Sequence, residues 1–233
     1  MKKRSRRYTE ALQKVDMSKT YPIDEAIKKT KEVAFANFDE TVDISFRLGV
    51  DPRHADQMIR GAMALPAGTG QSSRVCVITS GENITKAEEA GADFVGSDDL
   101  ITKIQGGWLD FDRVIASPDM MGKIGRIGRI LGPRGLMPNP KLGTVTTDIA
   151  NAVKEQKAGK VEYRTDKNGV LHVTIGKKSF DDADLRKNLN AVVSAIHKAK
   201  PSSAKGTYFR SITLSTSMSP GVKLDTLEAA DIK

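Results

Sequence analysis

From Thr41 to Val50 apolar and polar residues alternate without a break. Val42, Ile44, Phe46, Leu48 and Val50 fall on one side, and Thr41, Asp43, Ser45 and Arg47 on the other. Successive side chains of a strand point to opposite faces, so the segment is expected to be a half-buried strand of an antiparallel sheet. A second alternation fills KVEYR (160–164) and VLHVTI (170–175), which flank Thr165-Asp166-Lys167-Asn168-Gly169. The Asn-Gly pair predicts a hairpin. Its apolar face takes Val161, Tyr163, Leu171, Val173 and Ile175, and its polar face Lys160, Glu162, Arg164, His172 and Thr174. A third alternation runs through KGTYFRSITLSTSMSPGV (205–222). A period of two places Tyr208, Arg210, Ile212, Leu214 and Thr216 toward a core, and Phe209, Ser211, Thr213, Ser215 and Ser217 outward. The outer row carries four hydroxyls, almost no charge, and leads into the turn Met218-Ser219-Pro220-Gly221. Such a row suits water equally with phosphate oxygens or ribose hydroxyls.

Helical spacing marks IDEAIKKTKEVA (23–34), with Asp24 and Glu25 at the favourable end of the dipole and Ile23, Ala26, Ile27 and Val33 as a buried stripe. It returns at 178–200, with Leu185, Leu189, Val192, Val193 and Ile196 as the stripe, Ser179 or Asp181 as cap and Pro201 as stop. In between the pattern changes. RVCVITS (74–80) is a continuous apolar run, as in a strand covered on both faces, and FVG (94–96) and RVIAS (113–117) are shorter versions. ENITKAEEAGAD (82–93), SDDLITKIQGG (97–107) and TTDIANAVKEQKAG (146–159) read as helices. Strands alternating with helices predict a small parallel sheet with right-handed crossovers. The residues 51–73 read as irregular, ending in a linker, and Phe38 reads as a core or staple residue.

The strand at 41–51 lacks a partner nearby and a lone strand is unstable, so its partners are expected after Gly159. The expected fold class is therefore α/β with two domains. One is a discontinuous α+β domain of split β-α-β type from residues 1–66 and 160–233. The other is an inserted Rossmann-like parallel α/β domain, 67–159, joined through the glycine-containing crossings PAGTG and KAGK.

Charge narrows the choice of partner. The 233 residues carry a net charge of +8 with a pI near 9.5, which favours a polyanion: nucleic acid or an anionic membrane surface. No run approaches the ~18–20 apolar residues of a membrane span. The basic start MKKRSRRYTEALQK lacks the apolar segment of a secretory signal. A soluble, cytoplasmic protein is expected. Lys2, Lys3, Arg4, Arg6 and Arg7 form either a solvated arm or a phosphate-binding one. Cys76 is the single cysteine, and His54, His172 and His197 lack metal-ligand spacing, so no cofactor or metal is expected.

A Rossmann-like domain raises a nucleotide-binding enzyme as the alternative function. The glycines of MGKIGRIGRILGPRG (121–135) do not follow G-x-G-x-x-G, and no G-K-[ST] follows them. Fold alone licenses no function. Lys123, Arg126, Arg129, Arg134 and Lys141 there fit a second anionic contact or a solvated loop.

Several stretches together carry a family likeness. They are FDETVDISFRLGVDPRHADQ (38–57), AEEAGADFVG (87–96), GRILGPRGLMPNPKLGT (128–144), KAGKVEYRTDKNGVLH (157–172), KGTYFRS (205–211) and the turn Ser217-Met218-Ser219-Pro220. From about Tyr8 to Val222 the chain resembles the bacterial ribosomal protein L-one family of the large subunit. The resemblance implies a split two-domain fold and RNA binding without catalysis. It implies 23S rRNA at the mobile side stalk and exit-site tRNA as partners, with release of deacylated tRNA. It also implies repression of translation through the chain's own operon mRNA, and neither a membrane nor a small-molecule substrate. Carried onto this sequence, the RNA contacts are Phe38, Glu40, Thr41, Ser211, Ser217, Met218 and Ser219, with a second cluster at Arg164, Thr165, Asp166, Lys167, Gly169 and His172. The family's Thr-Met-Gly-Pro reads Ser-Met-Ser-Pro here. Ser217 keeps the hydroxyl, whereas Ser219 replaces a glycine suited to close backbone approach or positive φ. Asn37 stands where a lysine is common.

Overall fold

The computed structural model describes residues 5–230 and 232. Lys2, Lys3 and Arg4 of the basic arm lie outside them. The chain divides into two compact units, Met1–Gly70 with Val161–Lys233, and Gln71–Lys160. It begins with α1 (Arg6–Gln13), α2 (Ile23–Glu32), β1 (Thr41–Leu48) and β2 (Arg60–Ala64). Next come β3 (Val75–Ile78), α3 (Asn83–Glu89), β4 (Phe94–Gly96), α4 (Asp98–Gln105), β5 (Arg113–Ala116), α5 (Met121–Ile124), α6 (Gly128–Leu131) and α7 (Ile149–Lys157). The chain returns with β6 (Lys160–Arg164), β7 (Val170–Lys177), α8 (Asp182–Lys198), β8 (Phe209–Thr216), β9 (Val222–Leu224) and α9 (Thr226–Ala230).

In the discontinuous unit a four-stranded sheet runs β7-β1-β8-β9, with every neighbouring pair antiparallel. Strand β1 is interior, which is why its alternation is the cleanest in the sequence. Its Val42, Ile44, Phe46 and Leu48 are buried with Leu171, Val173, Ile212 and Leu214, under Ile27 of α2 and Leu189 and Val192 of α8. Each such side chain contributes roughly 1.5–3 kcal/mol by leaving water. The polar positions of the same strands form the opposite face.

Four local expectations are corrected here. In β8, Phe209 is buried, its ring 5.8 Å from that of Phe46, while Arg210 is exposed. Leu48 pairs with Phe209 but Arg47 with Ser211, so Arg210 is the extra residue of a bulge and the phase reverses there. From Ser211 onward the expected faces return. At 160–175 the turn exists but the ladder does not. Strand β6 pairs with β2, and β7 with β1, leaving a single Thr165–Leu171 bridge between the two arms. Thr165 is the cause: its backbone N–H and its hydroxyl both donate to the Ile59 carbonyl, at 3.0 and 3.2 Å, and draw β6 toward β2. Strand β2 itself lies in the segment read as irregular, because RGAMA has no β-branched residue and includes a glycine. Finally, part of the basic arm is helical: Ser5 caps α1 through the Tyr8 N–H, and Ala11 and Val15 enter the core.

The inserted unit holds a parallel sheet in the order β4-β3-β5. Central β3 is wholly buried, Cys76 and Ile78 facing α4, α5 and α6, and Val75 and Val77 facing α3 and α7. The stretch at 121–135 is wound into short helical turns that bury Ile124, Ile127 and Leu131.

The glycine that weakens the β2 signal is needed by its neighbour. A Cβ on Gly61 would lie 2.5 Å from the Tyr163 hydroxyl oxygen and 2.7 Å from its ring. Tyr163 is buried, so the ring has little room to yield. Gly61→Ala is expected to destabilise the discontinuous unit by about 1–3 kcal/mol, measured by urea unfolding.

Candidate nucleic-acid interface

The start of β1 and the end of β8 are fastened together by one carboxylate. Glu40 has no exposed surface. Its Oε1 accepts from the Ala36 N–H at 2.7 Å, and its Oε2 accepts from the Thr216 hydroxyl and from the Met218 N–H at 3.0 Å. The Glu40 carbonyl accepts from the Lys178 N–H at 2.8 Å, which extends the link to the end of β7. Beside it, the Thr41 N–H donates to Ser217 Oγ at 3.2 Å, and the Thr216 N–H to Ser219 Oγ at 3.1 Å. Burial alone would raise the Glu40 pKa. Hydrogen bonds from Thr216, Ala36 and Met218, with the nearby Lys178 charge, outweigh it and hold the carboxyl below its ordinary value. Glu40 is thus an ionised anchor held by three donors.

The anchored turn presents two apolar side chains to solvent. Phe38 is 57% exposed and Met218 53%. The reading of Phe38 as core or staple is corrected: the core stripe starts at Val42, and the chain before it is carried outward by the bonds to Glu40. The implied contact through Glu40 also changes character, since its carboxylate is enclosed and acts by placing Met218 and Thr216. Among the described residues no non-glycine φ is positive, so Ser219 sits without backbone strain and its hydroxyl closes the turn.

The second cluster is divided by the fold. Arg164, Thr165, Asp166 and Lys167 border a depression of about 560 Å³ with Pro52 and Met58. The Asp166 carboxylate accepts from the N–H groups of Asn168 and Val170, both at 2.8 Å, and thereby shapes the turn. Thr165 is buried on Ile59, so its side chain supports the loop and does not face solvent. Gly169, with φ +74°, is buried and its carbonyl accepts from the Leu48 N–H. Arg164 and Lys167 are exposed, with no side-chain partner among the described residues. His172 stands apart, on the outer sheet face. Its Nδ1 is 2.9 Å from Ser45 Oγ, in a groove with Asp43, Thr174 and Ser215, and Thr174 donates to Asp43 at 2.7 Å. Ser211 is opposite Arg47, roughly 20 Å along β8 from Ser217 at ~3.3 Å per residue. The structure therefore brings Phe38, Thr41, Ser217, Met218 and Ser219 together, places His172 and Ser211 further along the four-stranded sheet, and leaves Arg164, Thr165, Asp166, Lys167 and Gly169 at the β6–β7 loop.

Asp43, Ser45 and Thr174 join this face although sequence reasoning did not place them in the site. Their signal was present, as outward positions of the alternation. Pro52 and Met58 had no such signal.

An α/β scaffold that displays hydroxyls and two exposed apolar side chains at a sheet, with exposed cations on a neighbouring loop, fits the class of proteins that bind structured RNA. The model of the Ribosomal protein L1p/L10e family matches residues 27–220, and the chain belongs to that family. It is a ribosomal RNA-binding protein of the large subunit, from a family of structural proteins and not of enzymes. The family implies association with the ribosome in the cytoplasm, and no helix among the described residues is long and apolar enough to cross a membrane.

The Glu40 anchor has a testable pH signature. Its folded pKa lies below the ordinary 4.5, so its stabilisation is present above that value and is lost as pH falls through the lower, folded one. Glu40→Gln should cost about 1–3 kcal/mol at neutral pH, because it leaves a buried donor unmatched. The difference from wild type, followed by urea unfolding, should shrink below the glutamate range.

Proposed function

We propose that the chain binds 23S rRNA at the mobile side stalk beside the tRNA exit site, takes part there in the release of deacylated tRNA, and represses its own operon mRNA through a similar RNA element. The observation that carries this reading is the turn fixed by Glu40, which holds Phe38 and Met218 more than half exposed between hydroxyls. Large apolar groups held rigidly in water gain most from a flat partner such as an unstacked base. In this reading Ser211, Ser217, Thr41 and His172 meet 2′-hydroxyls or base edges, and Arg164 and Lys167 meet phosphates. Glu40, Thr165, Asp166, Gly169 and Ser219 set the shape of the face. The discontinuous unit is the RNA-binding domain.

The nucleotide-enzyme alternative gains no support from the inserted unit, whose β3-to-α3 connection holds Gly81 as its only glycine.

Because both side chains are exposed, Phe38→Ala and Met218→Ala should leave folding stability unchanged while weakening binding to a side-stalk transcript. The expected loss for Phe38→Ala is about 1–3 kcal/mol, the usual value of one stacked base. Filter binding at fixed salt measures it, and wild-type affinity in both variants would remove this face from the RNA contact. A gel shift with the leader of the chain's own operon mRNA tests repression, with the same variants expected to lose both complexes in parallel.

A further inference from the structure

Helices α5 and α6 and the turn between them contain a three-residue repeat: Gly122-Lys123-Ile124, Gly125-Arg126-Ile127, Gly128-Arg129-Ile130. The backbone passes from an α turn (Met121–Ile124) through a 3-10 turn (Gly125–Ile127) to another α turn (Gly128–Leu131). In the 3-10 turn positions three apart lie nearly above one another, about 6 Å along the axis, and in the flanking α turns about 4.5 Å along it and roughly 60° round. Burial follows that period through the first two repeats, after which Leu131 takes the core position and Ile130 is only partly buried. Ile124 and Ile127 are wholly enclosed, whereas Gly122, Lys123, Gly125, Arg126 and Arg129 are exposed. The result is an exposed ridge that carries Lys123, Arg126 and Arg129 with bare backbone at Gly122 and Gly125.

Two properties of this ridge have no cause inside the chain. The first is the glycines. Gly125 has φ −52° and ψ −31°, helical values open to any residue, and a Cβ at Gly122 or Gly125 would meet nothing within 4 Å. Glycine at such positions weakens a helix relative to alanine, so neither conformation nor internal packing accounts for it. Gly132 shows the contrast: a Cβ there would lie 2.7 Å from the Gly128 carbonyl oxygen. The second is the charge. From Met120 to Thr147 there are five cations, Lys123, Arg126, Arg129, Arg134 and Lys141, and no carboxylate. Lys123 pairs with Asp98 at 2.7 Å. The other four have no ion pair among the described residues, although like charges at this spacing repel.

We propose that this ridge is a second RNA-binding surface, carried by the inserted unit. Bare backbone at Gly122 and Gly125 admits a sugar–phosphate strand to direct contact, and Arg126 and Arg129 hold phosphates of that strand. A depression of about 390 Å³ lined by Thr102, Gln105, Lys123, Arg126 and Asp98 adjoins it. With phosphates as its targets the surface is indifferent to base sequence. The inference rests on RNA as the ligand but not on the Phe38–Met218 face.

The test uses the full chain with two probes, a side-stalk transcript and a mixed-sequence RNA duplex. Gly122→Ala/Gly125→Ala should melt at the wild-type temperature or higher, yet bind both probes on the order of three- to tenfold more weakly. Arg126→Gln/Arg129→Gln should reduce the slope of log K against log salt by about 1.5–2, one counterion release for each lost phosphate contact. Arg126→Lys/Arg129→Lys should keep the slope and serves as the folding control. Wild-type affinities and slopes in the alanine and glutamine variants overturn the ridge while leaving the side-stalk assignment intact. Loss of stalk selectivity in the wild type, with duplex binding still sensitive to the ridge, overturns that assignment and supports the ridge. A wild type that binds neither probe overturns both.

Discussion

Everything in the discontinuous unit depends on β1 finding partners far away in the chain. Ser45 meets His172 across 127 residues and Thr41 meets Ser217 across 176. Closing a flexible loop the size of the inserted unit costs about 4 kcal/mol in chain entropy. A segment that folds on its own escapes part of that cost, because it is no longer a flexible loop. Pairing of β2 with β6 then holds the outgoing and returning chain side by side. The interior position of β1 makes the sheet intolerant of slippage: a shift of one residue would send Phe46 to solvent and Arg47 into the core.

The candidate site is built on the same closure. Its turn comes from the C-terminal part of the chain, while Glu40, which aims it, comes from the N-terminal part. A buried carboxylate is costly unless it is hydrogen-bonded, and here three donors bind it while the nearby Lys178 charge favours its ionised form. That arrangement places Phe38 and Met218 in water without penalty to the core. The candidate face is therefore held wherever the sheet is, and its apolar tips are left exposed.

The main elements were legible because one physical signal dominated each: alternation in β1 and β7, a continuous apolar run in β3, a stripe and a proline stop in α8. What escaped was decided by single tertiary contacts. The bulge at Arg210 reverses β8 for two residues, and nothing local announces it, since Tyr208 and Phe209 are both apolar enough to be buried. The bond from Thr165 to Ile59 separates the expected hairpin arms. Strand β2 has poor strand composition because Tyr163 needs the space at Gly61. At the candidate site, Phe38 resembled a core residue by type, yet it stands exposed in the segment that Glu40 ties to the β8 turn. Glu40 looked like a contact and is an anchor, a distinction that depends on burial and so is invisible in a linear sequence.

Cys76 sits in the middle of β3, fully enclosed, and burial pushes its thiol up to about 12. Only the thiolate attacks an alkylating reagent, so the native side chain is both unreachable and in the wrong ionisation state. It is also the only cysteine in the sequence. Alkylation of this thiol therefore dates the moment at which the parallel sheet of the inserted unit comes apart. The chain carries a built-in chemical clock for the opening of one unit, silent to whatever the other unit is doing.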